Sequence, residues 1–161
     1  MSDLLLNAFA FLLAVVFAAV WGAHVFETAV LYSAWAAEPP KSFFEFLATR
    51  SAKTLARFWQ ILAPSLYTVA ITALIIAFVA GMQMHLALAL AGICGLIHLA
   101  MIVLIFAPTN TKLGFYGGPG AASLDPRLAK TLIRRWGRWI FVRLGFETAG
   151  LVAALVAFKA S

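Results

Sequence analysis

The chain has 161 residues, of which 64% are hydrophobic and only 11% are charged. This balance excludes an ordinary soluble domain, in which about a quarter of the residues are charged. The formal charge of +6 needs no nucleic acid to explain it, because anionic lipid head groups attract basic residues beside membrane segments. We therefore expect an integral membrane protein in contact with lipid.

Four apolar segments are long enough to cross a bilayer, which takes about 20 residues of helix. They are Leu4–Tyr32, Phe58–Gly81, Leu86–Ala107 and Trp139–Phe158. Each is continuous and rich in Ala and Leu, unlike the short alternating strands of a membrane barrel. The sequence therefore predicts one all-α membrane domain over residues 1–161, built as a transmembrane four-helix bundle.

Basic residues are concentrated in two of the three connections between these segments. Residues 37–57 and 108–135 together carry nine of the 12 Lys and Arg residues. By the positive-inside tendency, both connections are predicted to be cytoplasmic and both termini to lie outside.

A short surface helix is predicted after the first span. Pro39-Pro40 ends the first helix. Ser42, followed three residues later by Glu45, has the pattern of a capping box at a helix start. The aromatic residues of this segment suit the membrane interface.

Proline and glycine mark the later elements. Pro64 removes a backbone donor inside the second span and is expected to kink it. The glycine-rich stretch 114–120 lacks the Lys and Ser/Thr of a phosphate-binding loop, so we interpret it as a flexible connection. Asp125 followed by Pro126 predicts a capped start of the fourth helix before it enters the membrane.

Five ionisable residues lie at membrane depth, where a charge is costly and needs a partner. They are His24, Glu27, His98, Arg143 and Glu147. His24 and Glu27 are three residues apart and share one helix face. Arg143 and Glu147 are four apart and do the same. Counting from the span ends at about 1.5 Å per residue places all five in the cytoplasmic half of the bundle, where we predict a catalytic site.

Aromatic residues at the same depth are predicted to line a pocket that opens toward the cytoplasm. Trp136 and Trp139 belong to a polar and aromatic seam of the fourth span that is predicted to face the bundle, and Trp59, Gln60 and Tyr67 lie at the matching end of the second. In their contact with the surroundings, Trp21, Trp35 and Trp136 are interpreted mostly as interface anchors or lipid-facing residues.

A structural role for the buried polar residues is the competing interpretation. Arg143 could pair with Glu27 or Glu147 and only hold helices together. The chain would then be a non-catalytic subunit or scaffold of a larger membrane complex.

Cofactor chemistry is less well supported by the residues. A di-iron bundle uses a Glu-x-x-His pair on each of two helices, and this pattern is missing, so we predict no metal and no added cofactor. Haem held by His24 and His98 from facing helices is an open alternative. A metal-free acid-base site, in which a carboxylate tunes a histidine, needs nothing further.

Two helices share a short sequence. Phe26-Glu27-Thr28-Ala29 in the first span recurs as Phe146-Glu147-Thr148-Ala149 in the fourth. Each copy puts a carboxylate in a hydrophobic helix.

Three further segments carry a family resemblance. They are Phe58-Trp59 at the start of the second span, Ala107-Pro108-Thr109-Asn110-Thr111-Lys112-Leu113 at the end of the third, and Trp136 to Arg143 leading into the fourth. In these segments and in its layout, the chain resembles the anthrone-oxygenase-like family of small four-helix membrane proteins, most bacterial members of which have no known function.

The resemblance implies an oxygenase-like oxidoreductase that acts on a polycyclic phenolic substrate without an added cofactor. By that resemblance, Asn110 would orient the pocket mouth, Arg143 would steady an anion, and His98 or His24 would serve as the base. The expected ligand is a hydrophobic aromatic or quinone-like molecule, and the expected location is a bacterial inner membrane. A homo-oligomer or partner membrane subunits are compatible with this prediction.

Overall fold

The computed structural model describes residues 3–80, 85–115 and 124–160. These residues form five helices and no strand, which confirms the predicted all-α fold. The helices are α1 (Asp3–Ala37), α2 (Lys41–Leu47), α3 (Arg50–Ala80), α4 (Leu86–Lys112) and α5 (Pro126–Ala160). The predicted end of the second span at Gly81, the turn after it and most of the glycine-rich connection lie outside the described residues.

All helices except α2 are long and apolar enough to cross a membrane. At the end of the bundle that carries the basic connections, they extend beyond the predicted spans, with α3 beginning at Arg50 and α5 at Pro126. These added turns are polar and basic, and Lys and Arg are good helix formers. A count of apolar residues therefore finds the membrane-spanning part and misses the turns that continue each helix past it.

The predicted caps have different outcomes. Asp125 caps α5, since its Oδ1 accepts a hydrogen bond from the Arg127 backbone N–H at 2.9 Å. The predicted capping box at α2 is wrong, because Ser42 lies inside the helix and Pro40 is at the cap position. The Ser42 hydroxyl instead donates to the Trp35 carbonyl at 2.8 Å, which ties α2 to the end of α1.

The four long helices form a ring in which α1 contacts α3 and α5, and α4 contacts the same two helices. Small residues permit the close approaches. Gly92 and Gly95 of α4 lie against Ala70 of α3, and Gly150 of α5 lies against the Phe17 ring of α1. A side chain at these glycines would collide with the neighbouring helix, as expected of small residues in a membrane bundle.

Two hydrophobic clusters fill the bundle. One, near the chain termini, includes Leu13, Phe17 and Val20. The other, at the end with the basic connections, is built around Trp35 and Trp136. These tryptophans are only 2% and 6% exposed, so the interpretation as interface anchors or lipid-facing residues is wrong for both, while the bundle-facing position predicted for Trp136 in the seam is confirmed. They pack on each other and on neighbouring aromatic rings instead.

Both α1 and α4 change their winding where the two clusters meet. Glu27–Tyr32 in α1 and Ile102–Phe106 in α4 form π-helical turns. A π-helical turn re-aims the side chains around it and is found frequently at functional sites. Glu27 begins the first of these turns, and His98 lies four residues before the second.

Candidate functional site

Three buried side chains from three helices meet inside the bundle. Nδ1 of His24 lies 2.7 Å, and Nε2 of His98 3.1 Å, from the same oxygen, Oε1 of Glu147. Each of the three residues is 1% exposed. Helices α1, α4 and α5 thus bring together residues that are far apart in the sequence, and we call them the His–His–Glu cluster.

These close contacts are not well-formed hydrogen bonds. Both atom pairs are within hydrogen-bonding distance, but neither has the angle of a hydrogen bond. As a result, Nδ1 of His24, both ring nitrogens of His98 and both carboxylate oxygens of Glu147 have no hydrogen-bond partner among the described residues. Buried polar atoms in native proteins nearly always have one.

Arg143 connects this cluster to the second buried carboxylate. Its Nη2 donates to Oε2 of Glu27 at 3.0 Å, and its Nε lies 3.6 Å from Oε1 of Glu147. The guanidinium also lies over the Phe106 ring, 4.4 Å from its centroid, within the range of a cation–π interaction. All five ionisable residues predicted from membrane depth therefore lie in one group.

Aromatic rings hold the two imidazoles in place. The Trp59 indole stacks on the His24 ring with 4.0 Å between centroids and an interplanar angle of 13°. The Tyr67 ring lies 5.7 Å from that of His98. Stacking of this kind restricts rotation of an imidazole about its side-chain bonds, so the direction of its nitrogens is fixed by α3.

A cavity of about 430 Å³ lies beside the group. Four of the five residues predicted to be catalytic line it, all but Glu147, together with Trp59, Tyr67 and Asn110 of the predicted binding residues. The rest of the wall consists of Ala56, Gln60, Ala63, Pro64, Ile102, Phe106, Phe115 and Trp136. Gln60 and Pro64 are exposed, so the cavity reaches the surface of the bundle along α3.

Trp139, the fourth predicted binding residue, is not on the cavity wall. It is half-buried against the aromatic cluster, and Trp136 takes its place on the wall. Trp136, Arg143 and Gly150 are spaced by seven residues, and positions seven apart on a helix are offset by only about 20°. The inward line of α5 therefore passes through Trp136 rather than Trp139.

Sequence reasoning missed several wall residues. Phe106 and Phe115 are two of 14 phenylalanines, and nothing in the sequence distinguishes them from lipid-facing ones. Pro64 was noted only for its effect on the backbone, although a proline inside a span is a signal for a cavity. It lies within α3, which continues from Arg50 to Ala80.

The His–His–Glu cluster could hold a single metal ion, which is a different arrangement from the dinuclear site that the sequence argues against. One ligand atom from each residue lies within 4.8 Å of the others. A haem bound by both histidines would instead have to lie between the two imidazoles. The Glu147 carboxylate occupies that space, since one of its oxygens contacts both rings.

No family model, curated protein or solved structure matches the chain. The resemblance to the anthrone-oxygenase-like family therefore stays a prediction.

Proposed function

We propose that the protein is a membrane oxidoreductase that binds a hydrophobic aromatic or quinone-like molecule in the cavity and oxygenates it. The observation that carries this proposal is the chemical difference between the two sides of the cavity. One side is aromatic and apolar, and the other carries buried His24, Glu27, His98 and Arg143.

The size and polarity of the cavity suit such a ligand. At about 430 Å³ it falls within the usual range for small-molecule sites, which are mostly apolar with a few placed polar groups. The Trp59 indole N–H is buried and has no hydrogen-bond partner among the described residues. It is available to donate to a ligand carbonyl or phenolic oxygen, and the faces of the aromatic wall residues suit a flat ring system.

The proposed reaction needs no reductant. A buried base removes a proton from a methylene group that a neighbouring aromatic ketone makes acidic, as in an anthrone. The resulting carbanion adds to O₂, and loss of water leaves a new carbonyl group. One oxygen atom enters the product, the other leaves as water with the two methylene hydrogens, and the substrate supplies all the electrons.

A purely structural role would lead us to expect a different interior. In a scaffold, the buried polar groups should satisfy each other and leave no space between the helices. Arg143 donates from Nη2 to Glu27, but its Nε and the polar atoms of His98 and Glu147 have no hydrogen-bond partner among the described residues, and a cavity adjoins them. These two features favour a ligand-binding or catalytic site over a purely structural role.

The test uses the full chain purified in detergent. We expect 2-methyl-1,4-naphthoquinone to quench the tryptophan fluorescence in a saturable way, and anthrone to consume one O₂ per molecule converted, above the rate without protein. Trp59→Leu should weaken quinone binding by roughly 2- to 10-fold, the effect of losing an aromatic stacking partner.

Trp21→Phe is the matched control, because the Trp21 indole donates to Thr148 and does not line the cavity. Equal quenching in both variants would contradict the proposed binding site. Quinone binding without oxygen consumption would contradict the oxygenase step, and the absence of both would favour the scaffold.

A further inference from the structure

We propose that His24, His98 and Glu147 bind one divalent transition-metal ion, with the remaining coordination positions of the ion facing the cavity. Binding of this ion goes beyond the proposed function and does not depend on it, because the proposed reaction needs no metal. The site would be mononuclear, with two imidazole nitrogens and one carboxylate as protein ligands.

The spacing of the ligand atoms suits a shared ion. Ligand nitrogens and oxygens lie about 2.1 Å from a metal such as zinc, so two ligands on the same ion lie roughly 3 Å apart. The two nitrogen–oxygen distances in the cluster are 2.7 and 3.1 Å. All three ligand atoms lie within 4.8 Å of one another, which is close enough for them to share one ion.

The unmet hydrogen-bonding capacity of the cluster points the same way. Proton donors should aim their N–H bonds at the carboxylate oxygen, but neither imidazole contact has hydrogen-bond geometry. Lone pairs on metal ligands are directed at a common ion rather than at one another. A cation in the cluster would give a partner to buried nitrogen and oxygen atoms that have none among the described residues.

The surroundings also resemble those of a metal centre. Residues that orient the ligands are a regular feature of such sites. Here Trp59 fixes the His24 ring, and Arg143 approaches the Glu147 carboxylate while paired with Glu27. The charges of Arg143 and Glu27 cancel, so the cluster itself would offer one negative charge to a dication.

The ligand set limits the kind of metal. Two imidazoles and one carboxylate with open positions are typical of non-haem Fe(II), while Mn²⁺, Co²⁺ and Zn²⁺ accept the same ligands. Thiolate-seeking ions are disfavoured, because the single cysteine, Cys94, is outside the group of candidate ligands. His24 and His98 line the cavity, so open positions on the ion would be accessible to a molecule bound there.

The experiment is a Co²⁺ titration of the full chain, purified in detergent and stripped with a chelator. We expect one ion per chain by elemental analysis, ligand-field absorption in the visible range and a higher melting temperature when loaded. His98→Ala and Glu147→Gln should weaken binding by at least about 100-fold, more than the loss of a residue that only orients a ligand. His85→Ala and Glu38→Gln are the matched controls, since both residues lie outside the group of candidate ligands.

X-ray absorption spectroscopy of the loaded wild-type chain keeps the test decisive if a variant fails to fold. Two imidazoles in the coordination sphere support the site, and an all-oxygen sphere overturns it. Equal Co²⁺ affinity in His98→Ala and His85→Ala, or no bound ion in the wild type, also overturns it. Quinone quenching on the same samples separates the two proposals. Quinone binding without metal binding contradicts only the metal site. Metal binding without quinone binding contradicts only the proposed ligand.

Discussion

The Arg143 guanidinium donates a hydrogen bond to the Glu27 carboxylate across the contact between α5 and α1, with 3.0 Å between Nη2 and Oε2. Their side chains are only 4% and 6% exposed. Bulk water reaches neither side chain, so Glu27 depends on Arg143 for charge compensation, and Arg143 depends on Glu27 together with the Glu147 carboxylate 3.6 Å from its Nε.

We expect Arg143→Met or Glu27→Gln alone to lower the free energy of unfolding by about 3–5 kcal/mol, since each removes the hydrogen-bonded partner of a buried charge. The double variant should recover most of this loss. A double-mutant cycle measured by unfolding in mixed micelles checks the coupling. Additive losses would mean that the two residues do not act as a pair. Lys41→Ala is the control, because it removes an exposed ion pair with Glu38, and such pairs contribute about 0–1 kcal/mol.

Gly150→Ala should destabilise the bundle by about 1–3 kcal/mol, the usual effect of overpacking a filled interior. The added methyl group would collide with the Phe17 ring of α1. Gly145→Ala is the matched control on the same helix, because an added Cβ there meets no other atom within 4 Å. We expect it to be neutral or stabilising by up to about 1 kcal/mol. Thermal unfolding of the two variants compares them directly, and Phe17→Leu should partly rescue Gly150→Ala. Equal melting temperatures for the two alanine variants would contradict the packing described at Gly150.

Asp125→Ala should cost about 1 kcal/mol, because it removes the acceptor for a backbone N–H in the first turn of α5. Asp125→Asn retains an acceptor oxygen and should stay close to the wild type. Chemical unfolding of both variants is the measurement. A loss of equal size in the asparagine variant would show that the charge, rather than the cap, matters.

The predicted orientation can be tested by labelling cysteines in intact cells with a membrane-impermeant maleimide. With Cys94→Ala as the background, Asp3→Cys should react from outside and Lys53→Cys only after the cells are opened. Asp3 and Lys53 lie at opposite ends of the bundle, near the start of α1 and the start of α3. The reverse pattern would place the basic connections outside and contradict the positive-inside assignment.

The fold could be predicted because hydrocarbon thickness imposes a length on every spanning helix. The grouping of the polar residues was partly predictable for a similar reason. His24 with Glu27, and Arg143 with Glu147, share helix faces through spacing alone.

The two copies of the Phe-Glu-Thr-Ala segment have the same local contacts in the structure, which the sequence alone did not reveal. In both copies the threonine hydroxyl donates to the carbonyl four residues before it, at 2.6 Å from Thr28 and 2.8 Å from Thr148. This contact satisfies the hydroxyl within its own helix. Both glutamates, one residue earlier, are buried in the same polar group.

The contact of His98 with Glu147 could not be derived from spacing. It depends on how far α4 is shifted along α5, and the spacing of residues within one helix carries no information about that shift. The position of Trp136 rather than Trp139 on the cavity wall has a different origin, because Trp136 lies seven residues before Arg143 and so shares its side of α5.

The packing on the terminal side of the polar group closes one end of the cavity. Toward the chain termini, Leu13, Phe17 and Val20 are each 0% exposed, and Gly150 lets α5 close against them. Within the described residues, the cavity opens beside Gln60 and Pro64 and is closed by packed side chains at its other end. A molecule that enters through this opening therefore leaves through it. Under the proposed function, substrate therefore enters and product leaves on the same side of this packed layer, and the reaction is confined to one half of the membrane.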